Sequence, residues 1–134
     1  MEIHHTGINV ADLDRALSFY RDLLGLEVIS KETRKSVIPG RGEITAVFLG
    51  DKDGGQVELI CEHARGGRKY ESGEKAPHVC FIVNDLDSRM EAMRSKGAEV
   101  LLQPTTPAYG TDISRIAFIE DPEGFRIEFW EMKK

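Results

Sequence analysis

HTGINVADLDRALSFYR, His5 to Arg21, and HVCFIVNDLDSRMEAMR, His78 to Arg94, are one pattern written twice. At a shift of 73 residues His5 falls on His78, Val10 on Val83, Asp12 on Asp85, Leu13 on Leu86, Asp14 on Asp87 and Arg21 on Arg94. Self-similarity of this kind outranks local propensity as a signal of architecture. A little further on the shift drops to 72, with Gly25 on Gly97, Glu27 on Glu99 and Val28 on Val100. At a shift of 70, AVFLGDKDGGQVELI (Ala46 to Ile60) meets IAFIEDPEGFRIEFW (Ile116 to Trp130). Phe48 then falls on Phe118, Asp51 on Asp121, Gly54 on Gly124 and Glu58 on Glu128.

Each copy reads as strand, helix, then strands. Residues 3 to 10 alternate, with Ile8 and Val10 on one face and His5, Gly7 and Asn9 on the other, the period of a half-buried strand. Asp12 is placed to cap a helix carrying Leu13, Ala16, Leu17, Tyr20 and Leu24, closed by Gly25; Asp85, Leu86, Met90, Met93 and Gly97 repeat that design. ITAVFL (44 to 49), QVELIC (56 to 61), RIAFI (115 to 119) and FRIEFW (125 to 130) are β-rich runs, and short strands are expected at 26 to 30 and 99 to 102. DKDGG and DPEG are read as hairpin turns, each with a glycine at positive φ. The expectation is an α+β fold of two tandem βαβββ modules forming a curved mixed-sheet half-barrel. A single domain then covers residues 1–134, with one module over about 1–63, a linker over about 64–76 and the second module over about 77–134.

The chain has 134 residues, 40% hydrophobic and 31% charged, with 5 prolines: enough apolar material for a core, and no basis for disorder or a collagen-like repeat. A net charge of −5 removes the drive for phosphate-backbone binding, so no nucleic-acid partner is expected. No run approaches a membrane span and the start, MEIHHTGINV, lacks the features of a secretory signal; a cytoplasmic protein that does not enter membranes is expected. Cys61 and Cys80, without CxxC spacing, read as reduced core residues, although Cys80 shares the strand face of His78. Basic residues concentrate in two loop regions, Lys31, Arg34, Lys35 and Arg41 in the first and Arg65, Arg68, Lys69 and Lys75 in the second, where they read as solvated surface or as a rim for an anionic substrate.

Four chemically able residues recur: His5 and His78 in the opening strands, Glu58 and Glu128 in the closing ones. Period 2 puts Val57, Leu59 and Cys61 on one side of QVELIC and Glu58 and Ile60 on the other; it puts Ile127 and Phe129 opposite Arg126, Glu128 and Trp130. His78 lies across from Val79, Phe81 and Val83. All four thus fall on the sheet face turned away from the helices. Carboxylates there are expensive to desolvate without a compensating charge, and two imidazoles with two carboxylates make a neutralising N/O set for a divalent first-row ion. A lone strand histidine is more often structural, but the duplication places His and Glu correctly twice. His4, whose parity puts it with Ile8 and Val10 and whose register in the repeat is that of Pro77, reads as structural or surface, and His63, just past the strand end and without a counterpart, as surface.

HTGINVADLDRALSFYRDLLGLEVI, QVELI, APHVCFIVNDLD and FIEDPEGFRIEFWE together resemble the vicinal oxygen chelate superfamily, in particular its glyoxalase I (lactoylglutathione lyase)-like members, over nearly the whole chain. By that resemblance His5, Glu58, His78 and Glu128 match the metal ligands, for Ni, Co, Zn, Fe or Mn, and the protein is a homodimer whose site lies within one chain or is shared between two. The resemblance implies a metal-dependent lyase or isomerase that abstracts an α-proton from a chelated thiol adduct or thioester through an enediolate. Glu128 is then the general base, loosened from the metal, and Glu58 a ligand and second acid/base, both catalytic. Phe48, Ile60, Phe118 and Trp130 would contact the small-molecule substrate and exclude water, with Arg126 and Asn9 also on the binding face.

A methylmalonyl-CoA epimerase-like isomerase fits the same scheme, although DPEG looks more like glyoxalase sequences. Where those sequences often carry a glutathione-binding arginine this chain has Asn9, so the thiol carried by the substrate is glutathione, another thiol or CoA. An extradiol-type dioxygenase, which uses two histidines and one glutamate, and a metal-free small-molecule binding protein are the remaining alternatives. Glu58 in the fourth place weighs against the former, and the intact ligand set against the latter.

Overall fold

The computed structural model describes residues 4–36, 38–71, 78–108 and 112–134. It divides into two compact units, Met1–Glu71 and Ser72–Lys134.

In the first unit the order is β1 (His5–Asn9), α1 (Leu13–Leu17), a π-helical segment (Ser18–Leu23), β2 (Val28–Lys35), β3 (Glu43–Gly50) and β4 (Gln56–Glu62). A 3-10 turn, His63–Arg65, follows. The sheet order is β1-β4-β3-β2, with β1 parallel to β4 and the rest antiparallel. A parallel pair needs a crossover, and the helix with the β2-β3 hairpin supplies it. The second unit repeats the plan with β5 (Val79–Ile82), α2 (Leu86–Ser95), β6 (Glu99–Thr105), β7 (Ile113–Glu120) and β8 (Arg126–Met132), in the order β5-β8-β7-β6. Each unit is therefore a four-stranded mixed sheet, the βαβββ plan expected from the repeat.

One face of each sheet is apolar because alternate residues were chosen so. In the first unit Ile8, Val10, Val47, Leu49, Val57 and Leu59 are buried, and α1, with Leu17 buried, packs against β4. In the second, Val79, Ala117, Ile119, Ile127 and Phe129 are buried, and α2, with Leu86, Met90 and Met93 buried, packs against β6, β7 and β8. Each such aliphatic side chain taken fully from water contributes about 1.5–3 kcal/mol.

Several expectations need correction. Asp12 caps α1, its carboxylate accepting from the Arg15 amide at 3.1 Å. Asp85 does not repeat this: it sits at φ 57 without a side-chain cap, and its own amide donates to Glu131 Oε1 at 2.9 Å. A short Asp tolerates the left-handed region, so the same residue type serves a different local need. Gly124 of DPEG takes positive φ as expected, at 86°, but in the first hairpin the left-handed residue is Gly50, φ 129°, rather than a glycine of DKDGG. A Cβ on Gly50 would stand 2.6 Å from the Gly55 carbonyl oxygen, so the hairpin closes backbone on backbone there.

β2 runs on to Lys35, through residues read as loop. Its charged SKETRK composition suits an edge strand that must resist further pairing, and Thr33 Oγ1 bonds Thr45 Oγ1 on β3 at 2.8 Å. β6 extends to Thr105 and carries Pro104, tolerated because it too is an edge. Of the expected linker, Ser72 to Pro77 lie outside the described residues. No helix among the described residues is long and apolar enough to cross a membrane.

Candidate functional site

In the first unit the parallel register sets Gly7 beside Glu58 and His5 beside Gln56, so His5 and Glu58 are diagonal neighbours on one face. His5 Nε2 stands 3.5 Å from Glu58 Oε1, with the glutamate side chain 13% exposed. Phe48 lies directly across from Glu58 on β3, and its ring meets the His5 ring edge-on at 5.1 Å. His4 comes to the same place: its Nδ1 is 2.9 Å from His5 Nδ1, one nitrogen of the two donating. Strand parity assigned His4 to the opposite face, but β1 begins only at His5, so His4 is free of that parity.

The second unit holds the matching pair more tightly. His78 Nε2 and Glu128 Oε2 are 2.8 Å apart, and the Glu128 side chain is 5% exposed. The Trp130 indole N–H donates to the other oxygen, Oε1, at 2.6 Å. Phe118 is the cross-strand neighbour of Glu128 on β7, and its ring meets His78 edge-on at 5.9 Å. Cys80 is the neighbour on β5. Although Cys80 as a residue is exposed rather than core, burial of its sulfur and then the Glu128 carboxylate push the thiol up to about 12. Cys61, read as core, is half-buried, with Sγ 3.7 Å from the Ala11 carbonyl.

The two pairs share design but not environment. Histidine, glutamate and phenylalanine recur, whereas Gly7 is replaced by Cys80 and Ile60 by Trp130. Neither Glu58 nor Glu128 has a lysine or arginine partner among the described residues; an imidazole faces Glu58, and an imidazole and the Trp130 indole face Glu128. A nearly buried carboxylate faced by an imidazole nitrogen is a donor set that fits a divalent cation. The described residues contain no group of three or more His, Cys, Asp or Glu side chains gathered as a ready cluster; each module contributes one N,O pair.

Of the expected substrate contacts, Phe48, Ile60, Phe118 and Trp130 are half-buried on the strand faces that carry the glutamates, and Arg126 is exposed at the start of β8. Asn9 is exposed, and its environment holds a surprise. A guanidinium does stand at this strand end, but it comes from Arg41 in the β2-β3 loop: Nη2 donates to Asn9 Oδ1 and Nε to Glu62 Oε1, both at 2.5 Å. Sequence reading left Arg41 among the surface basic residues. The available signal was its setting between two glycines, Gly40 and Gly42, both at positive φ, which turn the loop so that the arginine reaches back.

Beside it, burial and then Glu62 hold the Tyr70 phenol above its ordinary value. The Tyr70 hydroxyl finds no hydrogen-bond partner among the described residues, and the Arg65 guanidinium lies 3.7 Å over its ring. His63, expected at the surface, is also engaged: Nε2 meets Thr45 Oγ1 at 2.8 Å and Nδ1 meets Glu43 at 2.9 Å.

Comparison with known proteins places these features in a family. Residues 2–129 match the model of the Glyoxalase/Bleomycin resistance protein/Dioxygenase superfamily. The lactoylglutathione lyase of Haemophilus influenzae is 37% identical over 134 residues, covering 99% of this chain and 94% of the relative. The "Probable lactoylglutathione lyase" of Synechocystis is 36% identical over 129 residues, covering 96% and 93%. Among solved structures, the trypanothione-dependent glyoxalase I of Leishmania major superposes with a TM-score of 0.75 at 28% identity, covering 98% of this chain and 86% of that one.

Proposed function

The chain belongs to the Glyoxalase/Bleomycin resistance protein/Dioxygenase superfamily, and from that membership we propose that it is a divalent-metal-dependent lyase of the lactoylglutathione lyase type. The observation that carries the reading is the twice-built pair, His5 on β1 with Glu58 on β4, and His78, immediately before β5, with Glu128 on β8. The near full-length relatives named as lactoylglutathione lyases support it. In this proposal the four residues hold one ion of Ni, Co, Zn, Fe or Mn, either all from one chain or a pair from each of two chains in a cytoplasmic homodimer. When bound, the ion would polarise the carbonyl oxygen of a chelating substrate as a Lewis acid.

The chain's own residues do the rest. Glu128 removes the proton on the hydroxyl-bearing carbon next to the carbonyl with Oε2 and returns it to the carbonyl carbon, while the hydroxyl proton passes to the former carbonyl oxygen, the net result being an isomerisation with no co-reactant. His78 Nε2 stands 2.8 Å from Glu128 Oε2, so the two atoms are placed to share the ion. Glu58, approached by His5 Nε2 at 3.5 Å, serves as the second acid/base. Phe48, Ile60, Phe118 and Trp130, on the same strand faces, exclude water from the carboxylates. Arg41, anchored on Asn9 and Glu62, offers positive charge to the anionic end of the thiol. The name of the Leishmania relative, trypanothione-dependent, shows that thiols differ within this fold, so the thiol here is an open choice for that strand end.

The test is turnover by the metal-reconstituted protein of methylglyoxal with glutathione, run beside methylmalonyl-CoA and a catechol under air. Lyase activity that is lost on chelation and in Glu128→Gln supports the proposal. Epimerase turnover alone, or oxygen uptake alone, replaces it with another member activity.

A further inference from the structure

Trp130 is the sole tryptophan of the chain, and it stands two residues beyond Glu128 on the same face of β8. Strand neighbours at that spacing are about 7 Å apart along the backbone, so a side chain must be long and turned back to touch its predecessor. Here it does: the indole N–H meets Glu128 Oε1 at 2.6 Å, while Oε2 faces His78 Nε2 at 2.8 Å. Both oxygens of this carboxylate therefore have an assigned direction. At the matching place in the first module stands Ile60, whose side chain can donate nothing, and among the described residues the partner of Glu58 is His5, at 3.5 Å. The repeat copies the acid but not its tether.

Resting on the proposed lyase reading, we infer that Trp130 is a positioning residue: its indole holds Glu128 Oε1 so that Oε2 alone is presented for proton transfer, and this makes Glu128 and Glu58 unequal partners. A glutamate left to itself samples several rotamers, and an oxygen aimed in advance needs no reorganisation at the moment of reaction. Throughout the transfer Oε1 stays on the indole while Oε2 gains and releases the proton. Glu58, untethered, is the carboxylate that changes rotamer.

Three proteins and one spectrum test this. Trp130→Phe keeps an aromatic ring and loses the N–H; Trp130→Gln loses the ring but carries an N–H the same number of bonds from Cβ. With methylglyoxal and glutathione, Trp130→Phe should lower kcat about tenfold, the size expected for one charge-assisted hydrogen bond, and leave KM within about twofold. Trp130→Gln should recover a substantial part of kcat. Full kcat in a folded Trp130→Phe, or a loss confined to KM, overturns the inference in favour of a simple ring contact with substrate.

Independently of activity, the single indole N–H signal of 15N-labelled wild type should move in Glu128→Gln and on addition of Zn2+ alone. Zn2+ uptake seen by calorimetry with an unmoved indole signal overturns the positioning role by itself. Absence of Zn2+ uptake by wild type, with no turnover, sinks the lyase reading and this inference with it. Should Trp130→Phe fail to fold, Trp130→Gln and the wild-type spectrum decide.

Discussion

Replacing Glu128 by Gln should make the metal-free protein more stable while removing its chemistry. The Glu128 side chain is 5% exposed, and its compensation is an imidazole and an indole, with no lysine or arginine partner among the described residues. A glutamine of the same shape keeps both contacts: its carbonyl accepts from Trp130, and its amide donates to His78 Nε2. Taking a carboxylate out of water costs several kcal/mol, roughly 3–5 in a setting like this one. Against that, two charge-assisted bonds become neutral ones, a loss of about 1 kcal/mol each. The difference leaves the variant about 1–3 kcal/mol more stable, which in a chain of this size raises Tm by about 3–12 °C.

With metal present the order should reverse, because an ion at a hundredfold excess over its Kd adds about 2.7 kcal/mol to wild type and less to a variant lacking one ligand. Differential scanning calorimetry with chelator, then with Zn2+, measures both. A metal-free Glu128→Gln protein that melts below wild type would show that the carboxylate is fully stabilised by its neighbours, and that the physical case for a cation at this site is unsound.

Cys80 should resist iodoacetamide at pH 8: a thiol pushed up to about 12 holds on the order of a thousandfold less thiolate than a free one. In Glu128→Gln the alkylation rate should rise, since removing the carboxylate lowers that value; an unchanged rate would mean burial alone accounts for it. Arg41→Gln should raise KM for the thiol adduct about tenfold with kcat nearly unchanged, read in steady-state kinetics, because the side chain is anchored at the strand end rather than beside Glu128. Gly50→Ala should destabilise by about 2–4 kcal/mol in urea melts, whereas Gly25→Ala, equally left-handed but with open space around its Cβ, should cost about 1.

What the sequence made legible is whatever period 2 and duplication control. His5 and Glu58 land in their pair because alternate strand positions share a face, and the repeat registers β5 against β8 as β1 against β4, which brings His78, just before β5, to Glu128. Illegible were features that depend on where backbone meets backbone or on a rotamer. The part of β2 over residues 31–35 looks like loop because an edge strand has two wet faces and no apolar stripe to betray it. Asp85 copies Asp12 in letter and not in conformation. Parity puts Trp130 on the right face but does not say that its ring turns back to Glu128 rather than outward. Arg41 and His63 act through loop turns whose course no periodicity encodes.

The π-helical segment Ser18–Leu23 explains a misfit in the repeat itself. From Arg21 to Gly25 the first module has one residue more than the second has from Arg94 to Gly97, and that is where the alignment slips from 73 to 72. A π turn holds one more residue than an α turn, and the Leu24 amide duly reaches the Phe19 carbonyl, five residues back, at 2.9 Å. An insertion in one copy was thus swallowed by a wider coil. Length can change within a helix while the strands on either side of it stay in phase, so the two copies differ by one residue there and keep the same sheet order.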